Sequence, residues 1–233
     1  MTAQSVSERA HLPEIERKTV VDQVVRAIVQ AAAEGRILPG DRIIERDISM
    51  DLRVSRAPVR EALRLLESQG VVDNLPYRGM RLMEVDAASF EHLTAVRLQM
   101  ELLAAANLLA KPGDALEKAL TAMDAANARL GSAIQARDHY LLAVADMAFH
   151  SVSIQMSGNR TLMQVWKVVE TQLTVLFGLS SKQKDLPSIL REHEKLRADF
   201  ATGDYATVET SLRDHIVHNA AWVDVDKLRV QTQ

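Results

Sequence analysis

Arg53-Val54-Ser55-Arg56-Ala57-Pro58-Val59-Arg60-Glu61-Ala62-Leu63-Arg64-Leu65-Leu66-Glu67-Ser68-Gln69-Gly70 is the stretch that decides the fold. Ser55 is a good N-cap, Pro58 is tolerated in a first helical turn and Gly70 supplies a stop, so a helix is expected over Arg56 to Gln69. Arg53, Arg56, Arg60 and Arg64 recur at three- and four-residue spacing and share one side of it. Ala62, Leu63, Leu65 and Leu66 supply the buried side. Glu61 is the only acid between Arg53 and Arg64. The guanidinium fork grips a phosphate or the major-groove edge of guanine with two hydrogen bonds, so an arginine stripe is a candidate DNA-reading surface.

The flanking sequence supports that reading. Val20 to Glu34 carries a helical apolar stripe at Val20, Val24, Ile28 and Ala31, followed by a turn at Ile37-Leu38-Pro39-Gly40-Asp41. A short helix is expected from Glu45 to Leu52. Val71-Val72-Asp73 and Met80 to Val85 have the pattern of two short strands, joined by a hairpin loop over Asn74 to Gly79. Helix, helix, turn, helix and ribbon is the order of a winged helix-turn-helix. Arg46 on the second helix and Arg78 at the ribbon tip extend the positive face, and Gly79 lets backbone approach a groove without a Cβ. The competing reading is a solvated face with salt bridges to Glu45, Asp47, Asp51 and Glu61. The complete element order favours the DNA surface.

Composition narrows the remainder. The chain has 233 residues, 47% hydrophobic and 25% charged, with 9 Gly and 6 Pro, which favours helices over a turn-rich β fold. It contains no Cys, which excludes disulfides, thiolate catalysis and Cys-ligated zinc. No apolar run reaches the ~18 residues of a membrane span, and Met1 to Pro13 lacks the apolar core of a signal peptide. A cytoplasmic location is expected. The net charge of −3 hides the local positive stripe of the third helix.

After Asp86 nearly everything has a helical pattern. Six helices are expected: Ala87–Ala110, Asp114–Ala136, Asp138–Met156, Arg160–Leu179, Pro187–Ala201 and Tyr205–Leu228, with Asp114, Asn159 and Asp204 at N-cap positions. Short connections imply antiparallel packing. The expected fold is therefore mainly α: a polar tail at 1–17, a winged helix-turn-helix at 18–85 and an all-α antiparallel six-helix bundle at 86–230.

The bundle carries the second candidate chemistry. Asp146 and His150 are four apart and project from one helix face, with Ala143, Met147 and Ile154. His193 lies among Ile189, Leu190, Leu196 and Phe200. His215 lies with Val208, Leu212, Asn219 and Trp222. Burying an unpartnered Asp is costly, and a bound cation lowers that cost. One carboxylate and three imidazoles suit Zn²⁺, Ni²⁺ or Mn²⁺. The competing reading for each His is a satisfied core histidine. His92 and His139 are expected at the surface, and His218 beside the site. Glu192 and Glu194 are expected to point away from His193. Arg97 is a candidate clamp for a carboxylate ligand or, alternatively, an i,i+4 partner of Glu101. Asn219 is a weaker ligand candidate, and Trp166 and Gln172 are candidate pocket residues.

Two resemblances follow from these residues. Gly35 to Gly40, Val54-Ser55-Arg56-Ala57-Pro58-Val59-Arg60-Glu61-Ala62-Leu63, Leu66, Gly70 and Arg78-Gly79 resemble the DNA-binding domain of the GntR family of bacterial transcription regulators. That resemblance implies a homodimer on a palindromic double-stranded operator, with DNA contacts at Arg46, Ser55, Arg56, Pro58, Arg60 and Gly79. Arg53 departs from the family, which usually has Gly there. Val96 to Glu101, Asp146-Met147-Ala148-Phe149-His150, His193, Gly203-Asp204 and His215 resemble the FCD effector domain of FadR-type members, in its six-helix, VanR-like branch. It implies a divalent metal, zinc before nickel or manganese, on Asp146, His150, His193 and His215, holding a small organic acid effector.

The expectation is a ligand-responsive transcription regulator, a repressor by family habit, with no enzymatic activity. Two alternatives stay open: a metal-free regulator sensing an apolar or acyl effector, and a helical metallohydrolase.

Overall fold

The computed structural model describes residues 19–218 and 223–229. Among them are nine α-helices and one small sheet. The N-terminal part holds α1 (Val20–Ala33), β1 (Arg42–Ile43), α2 (Glu45–Asp51), α3 (Arg56–Ser68), β2 (Val72–Leu75) and β3 (Gly79–Leu82). Helix α1 starts with a reciprocal capping box, in which Thr19 and Asp22 satisfy each other's backbone N–H. Helix α3 buries Val59, Ala62, Leu63 and Leu66 and leaves its arginines outside. Val20 and Leu65, both expected to face the core, are exposed.

The wing differs in detail from the expectation. Its sheet has three strands in the order β1-β3-β2, all antiparallel. The extra strand is the dipeptide Arg42–Ile43, paired with Arg81 and Met80. Two residues are too few for a period-two pattern, so only the pairing reveals it. The hairpin loop is shorter than Asn74 to Gly79, because Asn74 pairs with Met80 and Leu75 with Gly79. Strand β3 ends at Leu82, not at Val85.

The C-terminal part is the expected bundle of six helices: α4 (Ala87–Leu109), α5 (Ala115–Ala136), α6 (His139–Met156), α7 (Arg160–Ser180), α8 (Leu186–Ala201) and α9 (Tyr205–Arg213). Helix α6 packs against α5, α7 and α4, while α5 also meets α8 and α4 also meets α9. Asn159 and Asp204 cap α7 and α9 through their side chains. Asp114 and Ser55 occupy N-cap positions without making the cap bond. The expected helix Tyr205–Leu228 is a correction: α9 stops at Arg213, and a π turn over Asp214–His218 follows. After the undescribed residues, Val225–Arg229 forms a 3-10 turn. A π turn is a frequent local device at functional sites, and this one carries His215.

The two parts share a core. Val175, Leu176 and Leu179 of α7 join Val24, Ile28, Leu63 and Leu66 of the winged helix in one buried cluster. The approach is close: a Cβ at Gly178 would sit 2.5 Å from Ala33 Cβ and 2.8 Å from Ala33 O. Polar ties flank it. Gln172 Nε2 donates to Gln69 O at the end of α3 (2.8 Å), and Lys182 Nζ donates to Glu34 O at the end of α1 (2.8 Å).

Two stability predictions follow. Arg53 has φ 54°, the left-handed conformation that a Cβ disfavours, so Arg53→Gly is expected to raise unfolding free energy by up to about 1 kcal/mol. Gly178→Ala is expected to lower it by about 1–3 kcal/mol, the usual range for overpacking. Urea denaturation of each variant measures both.

Candidate DNA face and metal-binding cavity

On the winged helix, Arg46, Ser55, Arg56 and Arg60 are exposed, and Pro58 and Gly79 are half-buried. Ser55 ends the turn between α2 and α3, and Arg56 and Arg60 are spaced so that both face away from Ala62, Leu63 and Leu66. Arg60 is tied to Glu45 of α2 through Nε and Nη2, the closest contact being 3.1 Å. The salt-bridge reading therefore holds for this arginine. Among the described residues no ion pair involves Arg46, Arg53, Arg56 or Arg64. Tyr77, at φ 62°, stands fully in solvent at the tip of the wing. Sequence reading passed over it, although Pro76-Tyr77-Arg78-Gly79 marks the tip.

Inside the bundle, three helical segments bring His150 (α6), His193 (α8) and His215 (π turn) together. One ring nitrogen from each lies within 4.8 Å of the other two. His150 Nε2 and His215 Nε2 are 3.2 Å apart, and Asp146 Oδ1 is 3.0 Å from His193 Nε2. Asp146 Oδ2 is 3.9 Å from His150 Nε2. Neighbouring ligands on one ion with bonds of about 2.0–2.1 Å are about 3–3.4 Å apart. Asp146, His150 and His193 are buried, and the His215 side chain is only 8% exposed.

Hydrogen bonds set the tautomers. His150 Nδ1 donates to Glu101 Oε2 at 2.6 Å, and His193 Nδ1 donates to Ile189 O at 2.8 Å. Each leaves its Nε2 lone pair turned to the cluster. Burial pushes the His150 imidazole down, and burial together with the neighbouring histidines pushes His215 far down, so both are neutral donors. Burial alone would raise Asp146, but His193, His150 and Arg97 outweigh it and hold the carboxyl at about 2. Asp146 Oδ2 and His193 Nε2 nevertheless have no hydrogen-bond partner of good geometry. Buried donor atoms left unbonded at one point, of types that bind divalent ions, fit a cation.

A cavity of about 50 Å³ opens beside this cluster, lined in part by Asp146, His193, His215 and Arg97. Of the two readings of Arg97, the structure contains the i,i+4 pair with Glu101. Its Nε donates to Glu101 Oε1 at 2.7 Å, while its buried Nη2 has no partner. Glu101 is 1% exposed and holds Arg97 and His150 at once. Sequence reading offered Glu101 only as a partner of Arg97; its place on the apolar side of α4 was the available signal of burial.

Other expectations need correction. Glu192 does not point away: it lines the cavity, with Oε2 3.8 Å from His215 Nδ1, because α9, which leads into the turn carrying His215, packs against α8. His139 is half-buried and shares a 2.8 Å hydrogen bond with Ser181. Trp166 is buried away from the cavity and donates to Ser151 Oγ, and Gln172 is spent on Gln69. His92 is exposed as expected. Asn219, Trp222 and the side chain of His218 lie outside the described residues.

Comparisons with known proteins agree with this architecture. The family described as bacterial regulatory proteins, gntR family, matches residues 20–82, and the FCD domain matches residues 92–218. The chain is 25% identical over 203 residues to a probable D-xylose utilization operon transcriptional repressor of Paenarthrobacter nicotinovorans, covering 86% of this chain and 87% of the relative. It is 26% identical over 187 residues to the gluconate operon transcriptional repressor of Bacillus subtilis, covering 78% and 75%. Among solved structures, E. coli McbR/YncC superposes with a TM-score of 0.72 at 19% identity, covering 88% of this chain and 97% of that one. A putative GntR regulator from Rhodococcus gives 0.69 at 21% identity, covering 86% and 95%. No helix among the described residues is long and apolar enough to cross a membrane. With its helix-turn-helix ahead of an FCD bundle, the chain belongs to the GntR family of bacterial transcription regulators.

Proposed function

We propose that this regulator binds a palindromic operator as a homodimer through its winged helix (18–85), and that its bundle (86–230) holds a divalent metal and a small carboxylate effector. The observation that carries the reading is the convergence of Asp146, His150, His193 and His215 beside Arg97, whose buried Nη2 has no hydrogen-bond partner. Asp146 Oδ and the Nε2 atoms of His150 and His193, with a ring nitrogen of His215, would hold the ion. Three imidazole nitrogens and one carboxylate oxygen favour zinc, with nickel or manganese as substitutes. When bound, the metal supplies a Lewis-acid anchor for a carboxylate oxygen. Arg97 Nη2 donates to the same carboxylate, and Glu101 fixes the guanidinium by its other edge. The relatives named as operon repressors favour repression.

At the operator, Arg56 and Arg46 offer unspent guanidinium groups, Ser55 a hydroxyl not used for capping, and Pro58 and Gly79 close surfaces. Arg60 joins them by exchanging Glu45 for phosphate, an exchange that high salt opposes. The test of the metal half is elemental mass spectrometry of untagged protein purified without chelator. About one divalent ion per chain is expected; none, even after adding zinc, nickel or manganese, overturns it.

Two variant predictions belong here. Arg56→Ala is expected to weaken binding to an operator selected from random DNA by at least about tenfold and to reduce the salt slope by about one, with unchanged circular dichroism; fluorescence anisotropy reads it. Glu101→Gln is expected to lower metal affinity about 10–100-fold, because the amide no longer fixes the His150 tautomer. Competition with a chromophoric chelator measures that, and His193→Ala should lose the ion outright.

A further inference from the structure

We infer that the effector is a short monocarboxylic acid with an apolar tail, and not a polyhydroxylated sugar acid. The inference rests on the carboxylate reading above and adds the chemistry of the other end of the ligand. Away from the acid-binding groups, the cavity is walled by Phe90, Leu173, Leu176, Phe177, Ile216 and Val223. The two hydroxyls in the lining are directed into their own helices: Thr94 Oγ1 donates to Phe90 O (2.8 Å) and Ser180 Oγ to Phe177 O (3.3 Å). Lys184 and Glu192 are half-buried and act on each other electrostatically, so that pair presents little net charge to a ligand.

A ligand hydroxyl placed against this wall loses its water and gains no donor. Each such mismatch lowers affinity about fivefold or more. Each methylene buried there raises affinity about fourfold. Size points the same way. A cavity of about 50 Å³ holds the volume of roughly four waters, at ~10–15 Å³ apiece. That admits a tail of a few carbons.

The wall also explains how such a tail would be read. Leu176 belongs to the core that α7 shares with the winged helix, and Phe90 and Val223 pack against that same core. A tail seated on these three side chains is separated from the DNA-binding part by a single layer of side chains. A sugar acid held at the metal by its carboxylate would leave them untouched or bare.

The test is calorimetric titration of the zinc-loaded full-length protein with acetate, 3-methylbutyrate and gluconate. Acetate reports the carboxylate clamp alone. The expected result is 3-methylbutyrate binding at least tenfold tighter than acetate or gluconate. Phe90→Ser, at a half-exposed position on the first turns of α4, should weaken 3-methylbutyrate at least threefold and leave acetate unchanged. Gluconate binding as tightly as 3-methylbutyrate, or a preference of less than tenfold, overturns the inference while the clamp stands. If acetate and both longer acids fail to bind zinc-loaded protein, the carboxylate reading itself falls, and this inference with it.

Discussion

The contact between α7 and the end of α1 is the constraint on which the rest depends. Gly178 lets the two backbones close until Ala33 occupies the space a side chain would need. With the helices that near, Val175, Leu176 and Leu179 complete a core that the small winged domain leaves open on that side. The adjoining face of α7, which shares Leu176, lines the cavity. One helix thus serves as a structural wall for the winged helix and as a lining for the cavity. Packed interiors transmit small displacements poorly as smooth deformation and more readily as a change between discrete packings. A device that must link two sites gains from such a shared wall.

Electrostatics in the bundle follow a similar economy. Two carboxylates, Asp146 and Glu101, are taken fully out of water, which is tolerated only because each is surrounded by cationic or hydrogen-bonding groups. Burial works to raise Glu101, but His150 and Arg97 outweigh it and hold the carboxyl below its usual range. That single acid orients a candidate metal ligand with one oxygen and a candidate effector clamp with the other. The candidate metal ligand and the candidate clamp are therefore joined through one buried acid. Asp146 Oδ2, His193 Nε2 and Arg97 Nη2 are the buried polar atoms of this arrangement that lack a hydrogen-bond partner.

On the DNA side the protein holds its charges differently. The arginine stripe is exposed, and only Arg60 of the face is tied down, by Glu45. An exposed ion pair contributes little to stability, so it can be given up at the operator without unfolding anything. The strained backbone at Arg53, where the family usually has Gly, shows that this turn keeps its left-handed shape even with a side chain attached.

The sequence by itself determined the element types, most helix limits, the winged-helix order and the identities of Asp146, His150, His193 and His215. Those signals are local: capping residues, turn residues and the repeat of apolar positions act within a few residues of themselves. The third strand of the wing was not legible, because Arg42 and Ile43 become a strand only by pairing with β3. The π turn, which packs against α4, was not legible either, since its apolar spacing continues that of α9. Tertiary structure alone decided that three histidines from separate segments meet, that Glu101 stands behind His150, and that Glu192 turns toward the cavity. It also decided that Leu176 faces both the winged helix and the cavity. Each of these is a distance between residues far apart in the chain, and such distances are fixed by how helices pack, a property no window of sequence contains.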